Sequence, residues 1–323
     1  MIKHVTCSTE SDTRKGTGLI MQVIDLFVGL GGFSAGAIAA GATVVLGVDQ
    51  DPVPLKLWAA NAGGRAVLAT LGPDGDEVKL PSPTPSLHVH MSPPCTEFSP
   101  ARGGAATAAG VEQGSNALRW ALDLVLDRGD ASWSLENVSM PSTRAVLAEY
   151  VTRFPGRVAF ATLDAADFGA PQTRIRLIAA PPRLIKLLQE MPSARRVSVR
   201  DAFAKQGLEV SASHFKNQTR GRDGEPCLRS VEEQSFTVCA SHALTWCEKD
   251  GKTVRVMKAK ESAVLMGFPP EWRLPKGSRY AQRAVGNALC VAMSTAIMTA
   301  AISLKTDALV STDPLPSATQ TDQ

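Results

Sequence analysis

No two of the six cysteines (Cys7, Cys95, Cys227, Cys239, Cys247 and Cys290) form a CxxC pair, which argues against both a zinc ribbon and a disulfide framework and leaves reduced thiols as the default. No apolar run reads as long and charge-free enough to span a bilayer, residues 1–18 lack the apolar centre of a secretory leader, and there is no internal repeat. The expectation is an intracellular, cytoplasmic protein with no membrane partner. What is present is a chain of 323 residues, 44% hydrophobic and 20% charged, long enough to bury a large core in one big domain or two unequal ones. The net charge is only +3, yet Gln172 to Arg229 holds twelve Lys or Arg against five acids. A basic block on a slightly acidic body is what contact with a polyanion needs, although a solvated loop region gives the same count.

Both ends are polar and aperiodic: residues 1–18 read as a flexible extension, with Met21 as an alternative start, and residues 305–323 as a flexible tail. Between them "QVIDLF" reads as a strand, Phe33 to Ala40 as a helix, "TVVLGV" as a strand ending at Asp49, and Pro52 to Asn61 as a helix with Pro52 in its first turn. "RAVLAT" and "LHVHM" read as buried strands, Asn116 to Leu126 as a helix, "SWSLENV" as a strand, and Ser142 as the cap of a helix running toward Arg153. This alternation predicts an α/β fold with a doubly wound, mostly parallel sheet, residues 19–181 plus 253–304 forming the body. Residues 182–252 read as a small, irregular, basic insert in which only "VRDAFAKQ" and "SFTVCAS" are clear elements. "KAKESAVLMGF" and an Ala-rich helix from Gly286 to Leu304 return to the body.

In "DLFVGLGG", Gly29, Gly31 and Gly32 stand between strand and helix, where the chain turns tightly and a ligand approaches the backbone. The spacing is not GxGxxG, but Asp49 ends the next strand, where an acid accepts from ribose hydroxyls. A dinucleotide and S-adenosylmethionine both fit these residues. Three later stretches add chemistry: "SPPCTEFS" with Cys95 behind two prolines, "SLENV" with Glu136, and "FGAPQTRIR" with Arg174 and Arg176. If each loop follows a strand to the carboxyl edge of a parallel sheet, a thiol, a carboxylate and two guanidinium groups meet beside the glycine turn.

In order, "DLFVGLGG", "SPPCTEFS", "ENV", "QTRIR", "RVMKAKESAVLMGFPPEW" and "VGNA" resemble the motifs of the DNA (cytosine-5) methyltransferases across most of Val23 to Ile302. The resemblance implies a Rossmann-like methyltransferase fold with a small target-recognition domain, S-adenosylmethionine as cofactor, and duplex DNA as partner of a monomer. It implies Cys95 as nucleophile, Glu136 as the residue that binds and protonates cytosine N3, and Arg174 and Arg176 as the pair holding base and carboxylate. Phe27, Gly29, Leu30, Gly31, Gly32, Asp49, Gln50, the Pro94 backbone and Asn287 then line the cofactor site. Thiolate addition at C6 makes C5 an enamine carbon that attacks a methyl sulfonium, on a base flipped out of the stack. The loop "SPARGGAATAAGVEQG" after Cys95 reads as a lid.

The sequence departs from the family where Thr96 replaces the usual Gln, where Gln50 replaces an aromatic, and where no acid stands near Ala69 and Thr70 to bind an adenine amino group. Arg195, Arg196, Arg220 and Arg222 are the candidate phosphate or base contacts of the insert. No metal is expected: His88 and His90 read as packed or hydrogen-bonded core residues, as do Cys239, Cys247 and His242. A tRNA methyltransferase keeps the chemistry but lacks its Cys-Phe-Thr signature here. A catalytically silent DNA-binding homologue leaves the four reactive residues without a purpose, and a nicotinamide reductase explains only the glycine turn.

Overall fold

The computed structural model describes residues 20–94, 107–220 and 226–310. Strands β1 (Gln22–Leu26), β2 (Thr43–Asp49), β3 (Arg65–Leu68), β4 (Leu87–Met91), β5 (Trp133–Asn137), β6 (Ala159–Asp164) and β7 (Ile175–Ala180) form one sheet in the order β3-β2-β1-β4-β5-β7-β6. The first five neighbours run parallel, while β7 lies antiparallel between β5 and β6. Because β1 has its successor on one side and β4 on the other, the chain reverses its winding at β1 and leaves a crevice at the carboxyl edge there.

Helices cover both faces. On one lie α1 (Gly32–Ala39), α2 (Pro52–Ala62), α5 (Pro182–Glu190) and α9 (Val291–Val310); on the other α3 (Ala108–Arg128) and α4 (Pro141–Arg153). The reasons are local. Asp51 accepts from the Val53 amide and Pro52 opens α2, Thr107 caps α3, and Gly63 and Gly129 close the two helices in left-handed conformations. A second, antiparallel sheet, β11-β10-β8-β9, is built from β8 (His214–Arg220), β9 (Pro226–Ser230), β10 (Thr245–Cys247) and β11 (Thr253–Val256). Phe215 and Trp246 of that sheet share one buried cluster with α6 (Val199–Lys205), α7 (Ala259–Leu265) and the α9 face of the large sheet.

Several elements differ from the sequence expectation. β3 is not buried: it is an edge strand with one neighbour, and Leu68 is 60% exposed. The cap of α4 is Met140 rather than Ser142, because the fixed φ of Pro141 starts the helix two residues earlier. "SFTVCAS" forms no strand; it runs beside residues 171–174, with Ser235 bridging Gln172 and Thr237 donating to the Thr173 carbonyl at 2.6 Å. The expected helix from Gly286 is two helices, α8 (Ser278–Asn287) and α9, separated at an extended Ala288. The stretch Ser278–Asp307 is, against expectation, long and apolar enough by composition to cross a membrane; 72% of its apolar window is buried in the protein.

The α1–α9 contact needs glycine. A Cβ on Gly36 would lie 2.3 Å from the Ser294 Cβ, and one on Gly32 2.1 Å from the Leu289 carbonyl oxygen. Gly36→Ala is therefore expected to lower stability by about 1–3 kcal/mol through overpacking, read as the denaturant midpoint. An unchanged midpoint would mean that the two helices separate freely.

Candidate active site

Four parallel strands end at one edge and each delivers a part of the site. β1 leads into the glycine turn, where Phe27 has φ 60, the one non-glycine positive φ among the described residues, and Gly29 and Gly31 have φ 50 and 85. A bulky residue in the left-handed region marks a backbone held by its surroundings. Asp49, at the end of β2, supplies the hold: its carboxylate accepts from the Gly29 amide at 2.7 Å and from the Asp51 amide at 2.8 Å. Burial raises its pKa. The acid picked out for ribose contact thus already clamps the turn, with lone pairs left over.

β4 ends at Met91 and passes through Ser92 into Pro93 and Pro94. Asn137, at the end of β5, donates to the Pro93 carbonyl at 3.1 Å and so ties the loop that leads to Cys95. Cys95 and Thr96, like the first half of the Gly/Ala-rich stretch read as a lid, lie outside the described residues, whereas its second half, residues 107–114, is not loop but the cap and first turns of α3. Glu136 precedes Asn137, is buried, and pairs with the Arg176 guanidinium at 2.9 Å. Arg176 reaches it because β7 runs antiparallel: its first residues, not its last, sit at the carboxyl edge of the parallel strands. The convergence expected from parallel topology is achieved by a hairpin.

Arg174 takes another direction. Its guanidinium is 1% exposed and donates to the carbonyls of Val238 at 2.8 Å and of Gly286 and Ala288 at 2.9 Å each. It joins the start of β7 to the 235–241 strap and to the α8–α9 break that carries Asn287. Gln172 acts beside it: the side chain donates to the Leu265 carbonyl and accepts from the Val238 amide.

A cavity of ≈ 300 Å³ opens between these parts. Of the residues expected to hold a cofactor, Phe27, Gly29, Leu30, Gly32, Asp49, Gln50, Pro94 and Asn287 line it, with Glu136. Gly31 instead caps α1 against Trp58 and Trp272. Sequence reasoning missed Asp25, Phe33, Asp51, Tyr280 and Arg283, which also face it. Tyr280 donates its hydroxyl to Asp51, and partial burial beside that carboxylate pushes its pKa up to about 12. Asp25 accepts from Ser34 at 2.5 Å, which in turn accepts from the Trp58 indole at 2.8 Å. "DLF" contained the signal, an acid inside an apolar strand. Near Ala69 and Thr70, the acid at hand is Asp76, which turns back to accept from the Thr70 amide.

The fit to a cationic adenosyl sulfonium is chemical. Asp25, Asp49, Asp51 and Glu136 line one small cavity, and a side chain on Gly29 would meet no protein atom within 4 Å but would stand in that space. In the insert region, Arg195 and Arg196 are exposed, Arg196 pairing with Asp167 at 2.9 Å. The Arg220 side chain and all of Arg222 lie outside the described residues. Part of the basic block is structural: Lys216 donates to the Gly251 carbonyl, and Arg229 to those of Gln234 and Ser235. His242 meets Asn217 and Ser241.

The sheet order with its reversed β7, and a glycine turn at the switch point, define the class of Rossmann-like methyltransferases. A family model, "C-5 cytosine-specific DNA methylase", matches residues 21–183 and 186–303. The chain belongs to that family and is a DNA cytosine-5 methyltransferase by class. It is similar to the type II methyltransferase M.NlaX of Neisseria lactamica, 25% identical over 89% of this chain and 99% of the relative. With M.HindV of Haemophilus influenzae it shares 23% identity over 88% and 97%. Among solved structures, a prophage-encoded E. coli protein assigned as a DNA modification methyltransferase aligns with TM-score 0.61 and 18% identity, covering 88% of this chain and 99% of the other. The DNMT2 of Spodoptera frugiperda aligns with TM-score 0.54 and 14% identity over 87% and 99%; both show a shared fold.

Burial raises the Asp25 pKa from 3.8 to about 7. The folded protein keeps a proton there that the unfolded chain has released, so stability from this residue is present below the unfolded value and is lost as pH rises toward 7. Between pH 5 and pH 8 the wild type is expected to lose stability relative to Asp25→Asn, as compared by denaturant midpoints. A gap that does not change with pH would show that Asp25 ionises in the fold as it does in the open chain.

Proposed function

We propose that this protein transfers a methyl group from S-adenosylmethionine to C5 of cytosine in duplex DNA, through a covalent bond between Cys95 and C6. The observation that carries the reading is the pairing of buried Glu136 with half-buried Arg176 at 2.9 Å, set beside a cavity lined by carboxylates and by Pro93–Pro94, the step that ends at Cys95. Bound in the cavity, S-adenosylmethionine supplies an electrophilic methyl group. Asp49 and the glycine turn would hold its adenosyl end, with Asn287 also in the lining.

Cytosine C5 is a weak nucleophile. Addition of the Cys95 thiolate at C6 pushes an electron pair toward N3 and C5, and Glu136 at N3 neutralises the negative charge that develops there by donating a proton, which returns to it when the thiolate leaves. Arg176 locks the carboxylate in place, so that little reorganisation remains at the moment of reaction. Arg174 acts through backbone, setting the Asn287 turn against β7. After methyl transfer, C5 loses its proton, the C5–C6 double bond re-forms and the thiolate leaves. Arg195 and Arg196, with Arg220 and Arg222, supply cations to phosphates in the insert region. Methylation at one short duplex sequence, the output of a restriction-modification methyltransferase, is the biological form of this reading.

The test is transfer of labelled methyl to duplex DNA, mapped as 5-methylcytosine at base resolution, with tRNA as a parallel substrate. Label at a defined DNA sequence is expected, and Cys95→Ser should reduce it by more than about a thousandfold while cofactor still binds. Label in tRNA alone would move the protein to an RNA substrate. Transfer retained in Cys95→Ser would remove the thiol from the mechanism.

A further inference from the structure

β4 and β5 carry on one face a row of residues that the chemistry above does not use. Ser132 meets His88 Nδ1 at 2.8 Å, His88 Nε2 meets Ser134 at 2.9 Å, Ser134 meets His90 Nδ1 at 2.8 Å, and His90 Nε2 meets Ser92 at 2.9 Å. His88, His90 and Ser134 are fully buried, whereas Ser132 and Ser92 at the two ends are half-buried. The row therefore runs along the paired strands, from Ser132 just before β5 to the cavity that Ser92 shares with Glu136.

Buried polar groups are costly unless paired, and an aliphatic ladder would fill the same space at lower cost. Burial keeps both imidazoles neutral, their pKa values well below the ordinary histidine range. A neutral imidazole has one donor and one acceptor nitrogen, and a hydroxyl has one proton to give. The five-membered row is satisfied when every proton points the same way, and moving one proton from end to end converts one such arrangement into the other. Phe33 lies flat on His90, ring centroids 3.6 Å apart and planes 2° apart. Its face favours a passing positive charge on that imidazole.

We propose that this row is the exit path for the proton that cytosine loses from C5, an inference that rests on the methyl-transfer reading. The reaction releases one proton per turnover. The C5–H bond breaks and its electron pair forms the C5–C6 double bond, while the C6–S bond breaks and returns its pair to the thiolate. The proton goes to Ser92, directly or through one cavity water. Ser92 passes its own proton to His90 Nε2, His90 Nδ1 to Ser134, Ser134 to His88 Nε2, His88 Nδ1 to Ser132, and Ser132 to bulk water. The residues relay and do not touch the methyl group.

The test uses the full chain, S-adenosylmethionine and duplex DNA carrying tritium at cytosine C5, with methyl incorporation, tritium release and denaturant-stable protein–DNA adduct followed together. In Ser134→Ala, tritium release is expected to lag methyl incorporation by about tenfold or more, with the methylated adduct accumulating, and Ser134→Thr, which keeps the hydroxyl, should behave as wild type. Tritium release in step with methyl transfer in Ser134→Ala, or an equal lag in Ser134→Thr, would overturn the relay. Should Ser134→Ala fail to fold, Ser132→Ala at the half-exposed outer end is expected to show the same lag, and synchrony there would overturn it. Wild-type protein that transfers no methyl at all would overturn the methyl-transfer reading itself, a result distinct from a lag between the two labels.

Discussion

Arg174 holds a positive charge at 1% exposure, and three of the protein's segments depend on where it points. Its guanidinium takes carbonyl oxygens from Val238 in the strap and from Gly286 and Ala288 at the break between α8 and α9. Burying a cation is expensive, and the expense is offset only while those carbonyls, themselves without helical partners at the break, stay in range. Truncating the side chain would strand several backbone acceptors at once. The same contact explains why the last helical stretch is broken rather than continuous. An unbroken helix would consume the Gly286 carbonyl internally and carry Asn287 out of the cavity wall.

From that anchor the geometry of the site follows in two directions. Toward the sheet, β7 begins at the carboxyl edge because it is antiparallel, which sets Arg176 against Glu136. Toward the C-terminus, α9 packs on α1 at Gly36 and Leu289, just before α9, packs at Gly32, so the glycine turn that opens α1 is pressed from behind by the chain that Arg174 fixes. Asp49 closes the turn from the other side. The cavity is thus bounded by segments more than two hundred residues apart.

What was legible in the sequence was local. The glycine turn, Pro52 opening α2 and Asp49 ending β2 each follow from short-range backbone preference, and these expectations agree with the structure. The ordered motifs brought Glu136 and the arginines to attention, but not their different tasks: Arg174 and Arg176 are two residues apart, yet one meets a carboxylate and the other meets carbonyls from distant segments. That division depends on which neighbours the fold supplies. The small antiparallel sheet escaped notice for a related reason, since β8 to β11 are short, polar on one side and defined by pairing rather than by periodicity. Gln172 and Asn137 were hidden as ordinary polar residues because their value lies in a distant carbonyl each one reaches.

The histidines of "LHVHM" show the limit from the opposite side. Alternation in a strand does put His88 and His90 on one face, and the expectation of hydrogen-bonded core residues agrees with their serine partners. What the strand cannot disclose is that β5 offers Ser132 and Ser134 in register, since His90 stands opposite Ser134 only once β4 and β5 are paired. A single strand gives two buried bases at a cost, and the paired strands give a continuous row of donors and acceptors that ends beside Glu136. Polar residues in a sheet interior are stable when every member is satisfied. Here that satisfaction runs in one dimension from solvent to the cavity, which is the property a path for a proton requires and a merely packed core does not.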